Sequence, residues 1–321
     1  MGLLHLPLPL FAIGLLVVGI LLFHVGIHVA LRPRRVRESS SPARDGLAFR
    51  EVSFQTTAGR TLFGWFIPPS GSVAAPAMAV LHGWSSNAEA MLPLARPLWQ
   101  AGYGLLLFDA RSHGRSEGQF LSSLPRFAED LDHALDWLAR QPEVDPHDMA
   151  AIGHSVGAGA ALLVASRRDD LTAVVSVGAF CDPQAVMRRM LAKHRVPYWL
   201  VGWYVLRYVE FVIGHRFSAI APCRTIRRVS CPVLLVHGMD DRTVPIEESR
   251  AIFDARSSDT TELLILAAGH DSFDALDRHV ETLLGFLDRA RARRRAPGQL
   301  AHRDATPIPS PPAGPVPSLP R

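Results

Sequence analysis

The pentapeptide Gly153-His154-Ser155-Val156-Gly157 sets a serine between two glycines where an apolar run, residues 149–153, gives way to an alanine-rich, helix-forming stretch. That context fits a sharp strand-to-helix turn that lifts a nucleophilic hydroxyl out of a sheet. Glycine is needed on both sides because strand and helix approach too closely there for a Cβ. The helix N-terminus behind the turn adds backbone N–H groups and a positive dipole end, which favour developing negative charge. A hydroxyl is a weak nucleophile at neutral pH. Ser155 therefore requires a base within hydrogen-bond reach, and the base requires an acceptor that fixes its tautomer.

On such a turn the acid and then the histidine follow the serine in chain order. Residues 233–236 read as a buried strand running into His237-Gly238-Met239-Asp240-Asp241-Arg242, which puts two carboxylates at a strand's C-terminal edge. Ligand sites of open α/β sheets lie at that edge. Spacing leaves Asp240 and Asp241 both open as the acid, with capping of the next helix as a third reading. His270, in Ala268-Gly269-His270-Asp271 after a strand at 260–267, is placed to reach back over the sheet, whereas His82, His113, His154 and His237 belong to earlier strand ends or to the turn itself. The chemistry such a set supports is acyl transfer to water through a serine-bound intermediate, and it needs neither cofactor nor metal.

The elements that must hold these residues follow from periodicity. Residues 47–55 and 60–67 read as strands joined by a turn at Ala58-Gly59; 77–81 is a buried strand entering His82-Gly83-Trp84; 103–108 is the next strand. A helix at 127–140 carries Leu131, Ala134, Leu135 and Leu138 on one face, and strands follow at 149–153, 173–177, 233–236 and 260–267 before an amphipathic helix ending near 292. Short apolar strands alternating with helices predict an α/β fold with a mostly parallel central sheet covered by helices on both faces. Residues 180–228 break the rhythm and concentrate Trp199, Trp203, Tyr204, Tyr208 and Phe211, which reads as a helical cap insert. Its aromatics fit a lid over an apolar acyl site, a surface that docks on a bilayer, or core packing.

With these motifs in place, residues 47–292 resemble the α/β-hydrolase family, and most closely its membrane-tethered, capped serine hydrolases. His82-Gly83-Trp84 is similar to the family's oxyanion loop, Asp109-Ala110-Arg111-Ser112-His113-Gly114-Arg115-Ser116 to its D-x-R-G-H-G-x-S segment, and His237 to Pro245 to its H-G-x-x-D-x-x-V-P acid loop. The last match selects Asp241 as the acid. The resemblance implies Ser155, Asp241 and His270 as catalytic residues, backbone N–H groups of Trp84 and Val156 as the oxyanion hole, and His82, Gly83 and His154 around the substrate. It implies an acyl-ester hydrolase with a small-molecule or lipid-like substrate, with thioesterase, serine peptidase or a non-catalytic membrane scaffold as alternatives. The chain departs from the pattern at Ser112, where glycine is usual. For Asp109 and Arg111 a loop-bracing ion pair is the expected role.

At 321 residues and 48% apolar composition the chain can bury a sizeable core. Residues 6–31 are almost uniformly apolar, with His24 and His28 on one helical face, and are long enough to cross a hydrocarbon core of about 30 Å. No lysine or arginine precedes this run, and Arg32, Arg34, Arg35 and Arg37 follow it. These features read as a single transmembrane anchor (1–37) rather than a cleaved signal peptide, with the following domain cytoplasmic. Residues 38–46 have linker composition, and 293–321, dense in Pro, Ala and Ser, read as a disordered tail. Cys181, Cys223 and Cys231 have neither disulfide-framework nor zinc spacing. The net charge of +4 comes almost wholly from scattered arginine, which predicts contact with membrane lipid and none with nucleic acid. The arginines at 289–295 suit the negative end of a helix, anionic lipid, or a solvated helix end.

Overall fold

A computed structural model describes residues 8–296 except 72, 120, 272–275 and 277; of the tail expected to be disordered, 297–321 lies outside the described residues, whereas 293–295 are the end of the last helix, held there by bonds of Arg294 and Arg295 to the domain. Eight strands form one sheet in the order β1-β2-β4-β3-β5-β6-β7-β8. Strands β1 (Arg50–Thr56) and β2 (Arg60–Ile67) make an antiparallel hairpin, closed by Ala58 at φ 60° and Gly59 at φ 65°. The loop is the three residues Thr57–Gly59, since Thr56 pairs with Arg60, and its last two take the left-handed conformation. Strand β2 also pairs antiparallel with β4 (Gly104–Phe108). From there β3 (Ala75–Leu81), β5 (Val144–His154), β6 (Leu171–Val177), β7 (Val233–Gly238) and β8 (Thr261–Leu266) run parallel.

Parallel strands need helical crossovers, so apolar cores form on both faces. One face packs under α3 (Leu124–Leu138) and α4 (Val156–Ala165), with Phe127, Leu131, Leu135 and Leu138 fully buried; the other packs under α2 (Ala95–Gln100) and the last helix, with Leu98, Phe286 and Leu287. Each such side chain contributes about 1.5–3 kcal/mol of transfer free energy. The insert between β6 and β7 holds α5 (Pro183–Lys193), capped by the Asp182 carboxylate on the Gln184 N–H at 2.8 Å, then α6 (Trp203–Ile213) and two short helices, α7 (Phe217–Ile220) and α8 (Pro222–Thr225). Helix α9 (Ile246–Asp254) follows β7, and α10 (Val280–Arg295) ends the described chain.

The first helix, α1 (Leu8–Ala30), includes an apolar stretch at Ala12–Ala30 with mean hydropathy 2.4, and it is a candidate membrane span. Its C-terminal end is not free. Ile27 is buried in the core, Leu31 accepts from the Ser122 N–H at 3.2 Å, and the Arg34 N–H reaches the Ser85 hydroxyl at 2.9 Å. Residues 38–46, expected as a linker, lie against the domain: Ser39 bonds the Glu89 carboxylate through N–H at 2.6 Å and hydroxyl at 2.8 Å, and Pro42 is buried.

The α10 arginines face the sheet's N-terminal edge. Arg291 and Arg295 pair with Asp148 at 2.8 and 3.2 Å, and Arg294 donates to the carbonyls of His147, Asp170 and Leu171. These three are structural clamps, which replaces the lipid and solvated-end readings for them.

Arg111 differs from expectation as well. It bonds Asp130 and Glu129 of α3, while the Asp109 carboxylate accepts the N–H groups of Ala88 and Arg115 at 2.8 Å each. The Asp109–Arg111 pair expected from the sequence is not made. Burial pushes Asp130 up to about 6 even though Arg111 pulls it down. Removing one partner of a fully buried pair strands the other, so Arg111→Met should lower unfolding free energy by about 3–5 kcal/mol. Urea denaturation checks this, and a change under about 1 kcal/mol would mean the pair behaves as an exposed one.

Candidate active site

Ser155 joins β5 to α4 with φ 53° and ψ −112°, a conformation that L residues rarely adopt and that marks a site where strain is held by its surroundings. Its N–H bonds the Val177 carbonyl at 2.8 Å. A Cβ on Gly153 would lie 2.1 Å from the Gly157 carbonyl oxygen, and one on Gly157 would lie 2.5 Å from the His82 oxygen. The two glycines of the pentapeptide are therefore required by close backbone approach.

The loops after β7 and β8 cross at Gly238, where a Cβ would lie 2.3 Å from the carbonyl oxygens of both Ala268 and Gly269. That crossing sets His270 against Asp241. His270 Nδ1 lies 2.6 Å from Asp241 Oδ2, and its Nε2 lies 3.0 Å from Ser155 Oγ. Asp241 has a fully buried side chain whose Oδ1 accepts the N–H groups of Thr243 and Val244 at 2.8 Å each, while Asp240 is exposed. Geometry thus separates two carboxylates that spacing did not.

The competing histidines are held by other partners, although His237 Nε2 also lies 3.4 Å from Asp241 Oδ2. His237 is buried, donating from Nε2 to the Val244 carbonyl at 2.8 Å with Nδ1 on the Ser249 hydroxyl. His113 donates from Nδ1 to the Arg111 carbonyl, and burial pushes it down to about 4. His82 is fully buried, with Nδ1 donating to the Gly83 carbonyl at 2.7 Å and Nε2 accepting the Ala110 N–H at 3.1 Å. Burial first, then neighbouring His113, holds it well below the usual histidine range. His154 donates from Nε2 to the His270 carbonyl at 3.1 Å and is pushed down to about 4 by burial and then by the adjacent His270. His82 and His154, expected around the substrate, brace loops as neutral rings: one holds the turn after β3, the other seats His270.

Gly83 passes close to the serine, since a Cβ there would lie 3.2 Å from Ser155 Cβ. This carries Trp84 to the same side of the elbow, where its ring stacks on Phe127 at 6.5 Å between centroids. Val156 is the first residue of α4, so its N–H has no partner within the helix. In the next turn Ser112, the departure from the usual glycine, keeps the glycine-like conformation at φ 68°; its hydroxyl donates to the Gln119 carbonyl and accepts the Gln119 N–H. Asp109 is pushed up to about 8 by burial and by the neighbouring carboxylate of Glu38, a residue of the segment leaving α1. Sequence reading missed that segment's part in the site's support, because pairs such as Glu38 and Asp109 have no local spacing signal.

The family described as serine aminopeptidase, S33, an α/β-hydrolase group, matches residues 73–212. The uncharacterised protein Rv2307c of Mycobacterium tuberculosis is 28% identical over 241 residues, 73% of this chain and 76% of that one. Among solved structures, the Pyrococcus furiosus esterase Pf2001 superposes with a TM-score of 0.65 at 22% identity, over 81% of this chain and 97% of its own. The α/β hydrolase GrgF from Penicillium superposes with a TM-score of 0.61 at 23% identity, over 77% and 100%. With this sheet order and this strand-to-helix turn, the chain has the α/β-hydrolase fold.

Proposed function

We propose that the protein is a serine hydrolase that cleaves carboxylic acyl esters through an acyl-Ser155 intermediate. The observation that carries this is the unbroken relay from Ser155 Oγ through His270 to Asp241, at 3.0 and 2.6 Å. His270 Nε2 takes the Ser155 proton as Oγ bonds to the acyl carbon. The N–H groups of Trp84 and Val156 stabilise the resulting oxyanion. As the carbon–oxygen bond to the leaving alcohol breaks, His270 returns the proton to it; water, activated by the same histidine, then releases the acid and restores Ser155. Asp241 holds Nδ1 protonated and stabilises the imidazolium. His82, Gly83 and His154 support the site as loop braces in this scheme, and the reaction needs no cofactor.

In the same proposal residues 1–37 anchor the protein as a single-pass membrane protein, 47–292 form the catalytic domain on the cytoplasmic side, and about 180–228 form its cap. The positive flank Arg32, Arg34, Arg35 and Arg37 supports that orientation. The test is a fluorophosphonate probe followed by peptide mass analysis, beside p-nitrophenyl esters of increasing chain length and an aminoacyl p-nitroanilide. The expected adduct is on Ser155, with esters turned over and the chain-length optimum sizing the pocket. An adduct elsewhere, or none, would sink the serine mechanism; turnover confined to the anilide would replace the esterase reading with the peptidase one.

A further inference from the structure

The insert and α1 are bonded to each other. Tyr204 Oη lies 2.7 Å from His24 Nε2, and Tyr208 Oη lies 3.0 Å from His28 Nε2. Both pairs advance by one turn in the same direction, so α6 runs parallel to the span and its N-terminal end points back along it. Trp199, five residues before Tyr204, therefore stands near the level of Gly19. An apolar groove of about 530 Å³ between Tyr204 and the span's Leu15, Gly19, Ile20 and Phe23 occupies this level.

The apolar run of residues 6–31 exceeds the roughly 20 residues a hydrocarbon core requires. Its surplus is at the domain end, where Ile27 is buried in protein and His24 and His28 hold tyrosines. This sets the hydrocarbon boundary near Phe23, within about 8 Å of the level of Gly19 at 1.5 Å per residue. The tip of the insert at that boundary exposes Trp199 (80%), Leu200 (61%) and Trp203 (52%). Lys193 and Arg195 lie exposed beside them, and no acidic residue occurs between Asp182 and Glu210.

We propose that this tip is a bilayer-docking surface: it seats in the headgroup layer of an anionic membrane beside its own span, tryptophans at the boundary and basic side chains on lipid phosphates. Trp at the interface and Lys or Arg against anionic headgroups are the physical match for such a surface. Continuity with the span names the occupant, since two hydrogen bonds fix α6 to a helix that crosses the bilayer. The arrangement also places the site at the membrane. Ser85, next to Trp84, is held by Arg34, four residues past the end of α1; four residues reach at most about 14 Å and the end of α1 is about 10 Å beyond Phe23, which keeps this loop within about 25 Å of the boundary. Resting on the acyl-ester reading, this makes the natural substrate class a bilayer-resident acyl ester.

The test uses the full chain reconstituted in phosphatidylcholine vesicles with and without phosphatidylserine, the acyl chains brominated to quench nearby tryptophan. The expected result is quenching that is stronger with phosphatidylserine and is mostly lost in Trp199→Phe/Trp203→Phe. Equal quenching of the double variant and the wild type would overturn the docking surface, and quenching indifferent to phosphatidylserine would overturn its anionic preference. This readout requires no turnover, so it stands or falls separately from the hydrolase mechanism. The substrate class is read by an ester carried in the same vesicles against a short soluble one: the double variant should lose turnover of the first and keep the second, and equal retention of both would overturn it.

Discussion

Ser155→Ala should lower kcat on an acyl ester by on the order of 10⁶-fold while leaving the thermal midpoint unchanged. The fold holds this position through backbone, with the Ser155 N–H on the Val177 carbonyl and glycines packed on both sides, so removing Oγ disturbs no packing that α4 depends on. What disappears is the atom that bonds to the acyl carbon. A residual rate of about 10³- to 10⁴-fold over water would persist from the oxyanion donors and substrate binding. Steady-state turnover with a long-chain p-nitrophenyl ester, run beside a melting curve, measures both quantities. A variant that turns over at the wild-type rate would take the nucleophile away from Ser155.

Asp241→Asn should lower kcat by about 10⁴-fold with little change in structure, for a reason specific to this loop. The N–H groups of Thr243 and Val244 both point at Oδ1, so an asparagine at 241 must present its carbonyl oxygen to them and its amide nitrogen to His270. An N–H facing His270 Nδ1 forces that nitrogen to accept and moves the ring proton to Nε2. Nε2 can then no longer take the serine proton. The effect should fall on kcat more than on KM, because the acyl pocket is untouched. Imidazole nitrogen chemical shifts would show the tautomer change directly; an active Asn variant with the proton still on Nδ1 would refute the orienting role.

Much of the site was legible because its determinants are local. The pentapeptide's glycines answer to a close approach of strand and helix, and the buried strands of a parallel sheet read as apolar runs, so β2, β4, β6, β7 and β8 lie within a residue or two of their sequence bounds. Polar strand ends were harder. Strand β5 begins at Val144, with Asp145, Pro146, His147 and Asp148 ahead of the apolar run, and β1 begins at Arg50 because Leu47 is buried just after a turn rather than in the ladder. By spacing alone Asp240 and Asp241 look alike; the acid-loop match selects Asp241, and the fold buries it while Asp240 stays exposed. Arg111 was assigned to Asp109, two residues away, and instead reaches Asp130 across an α/β layer. Partnerships like that one depend on topology, which spacing along the chain does not encode.

The segment between α1 and β1 works as a splint. Arg35 donates to the carbonyls of Gly114 and Ser116, and Asn87 donates to the Val36 carbonyl. Together with Arg34 on Ser85 and Ser39 on Glu89, these bonds stiffen the two turns that flank the Ser155 turn. A soluble derivative trimmed back to the first strand would thus shed the brace along with the greasy helix, whereas one that starts at Arg32 would keep every one of these bonds; the boundary of the hydrophobic stretch and the boundary of the working enzyme are different places on the chain.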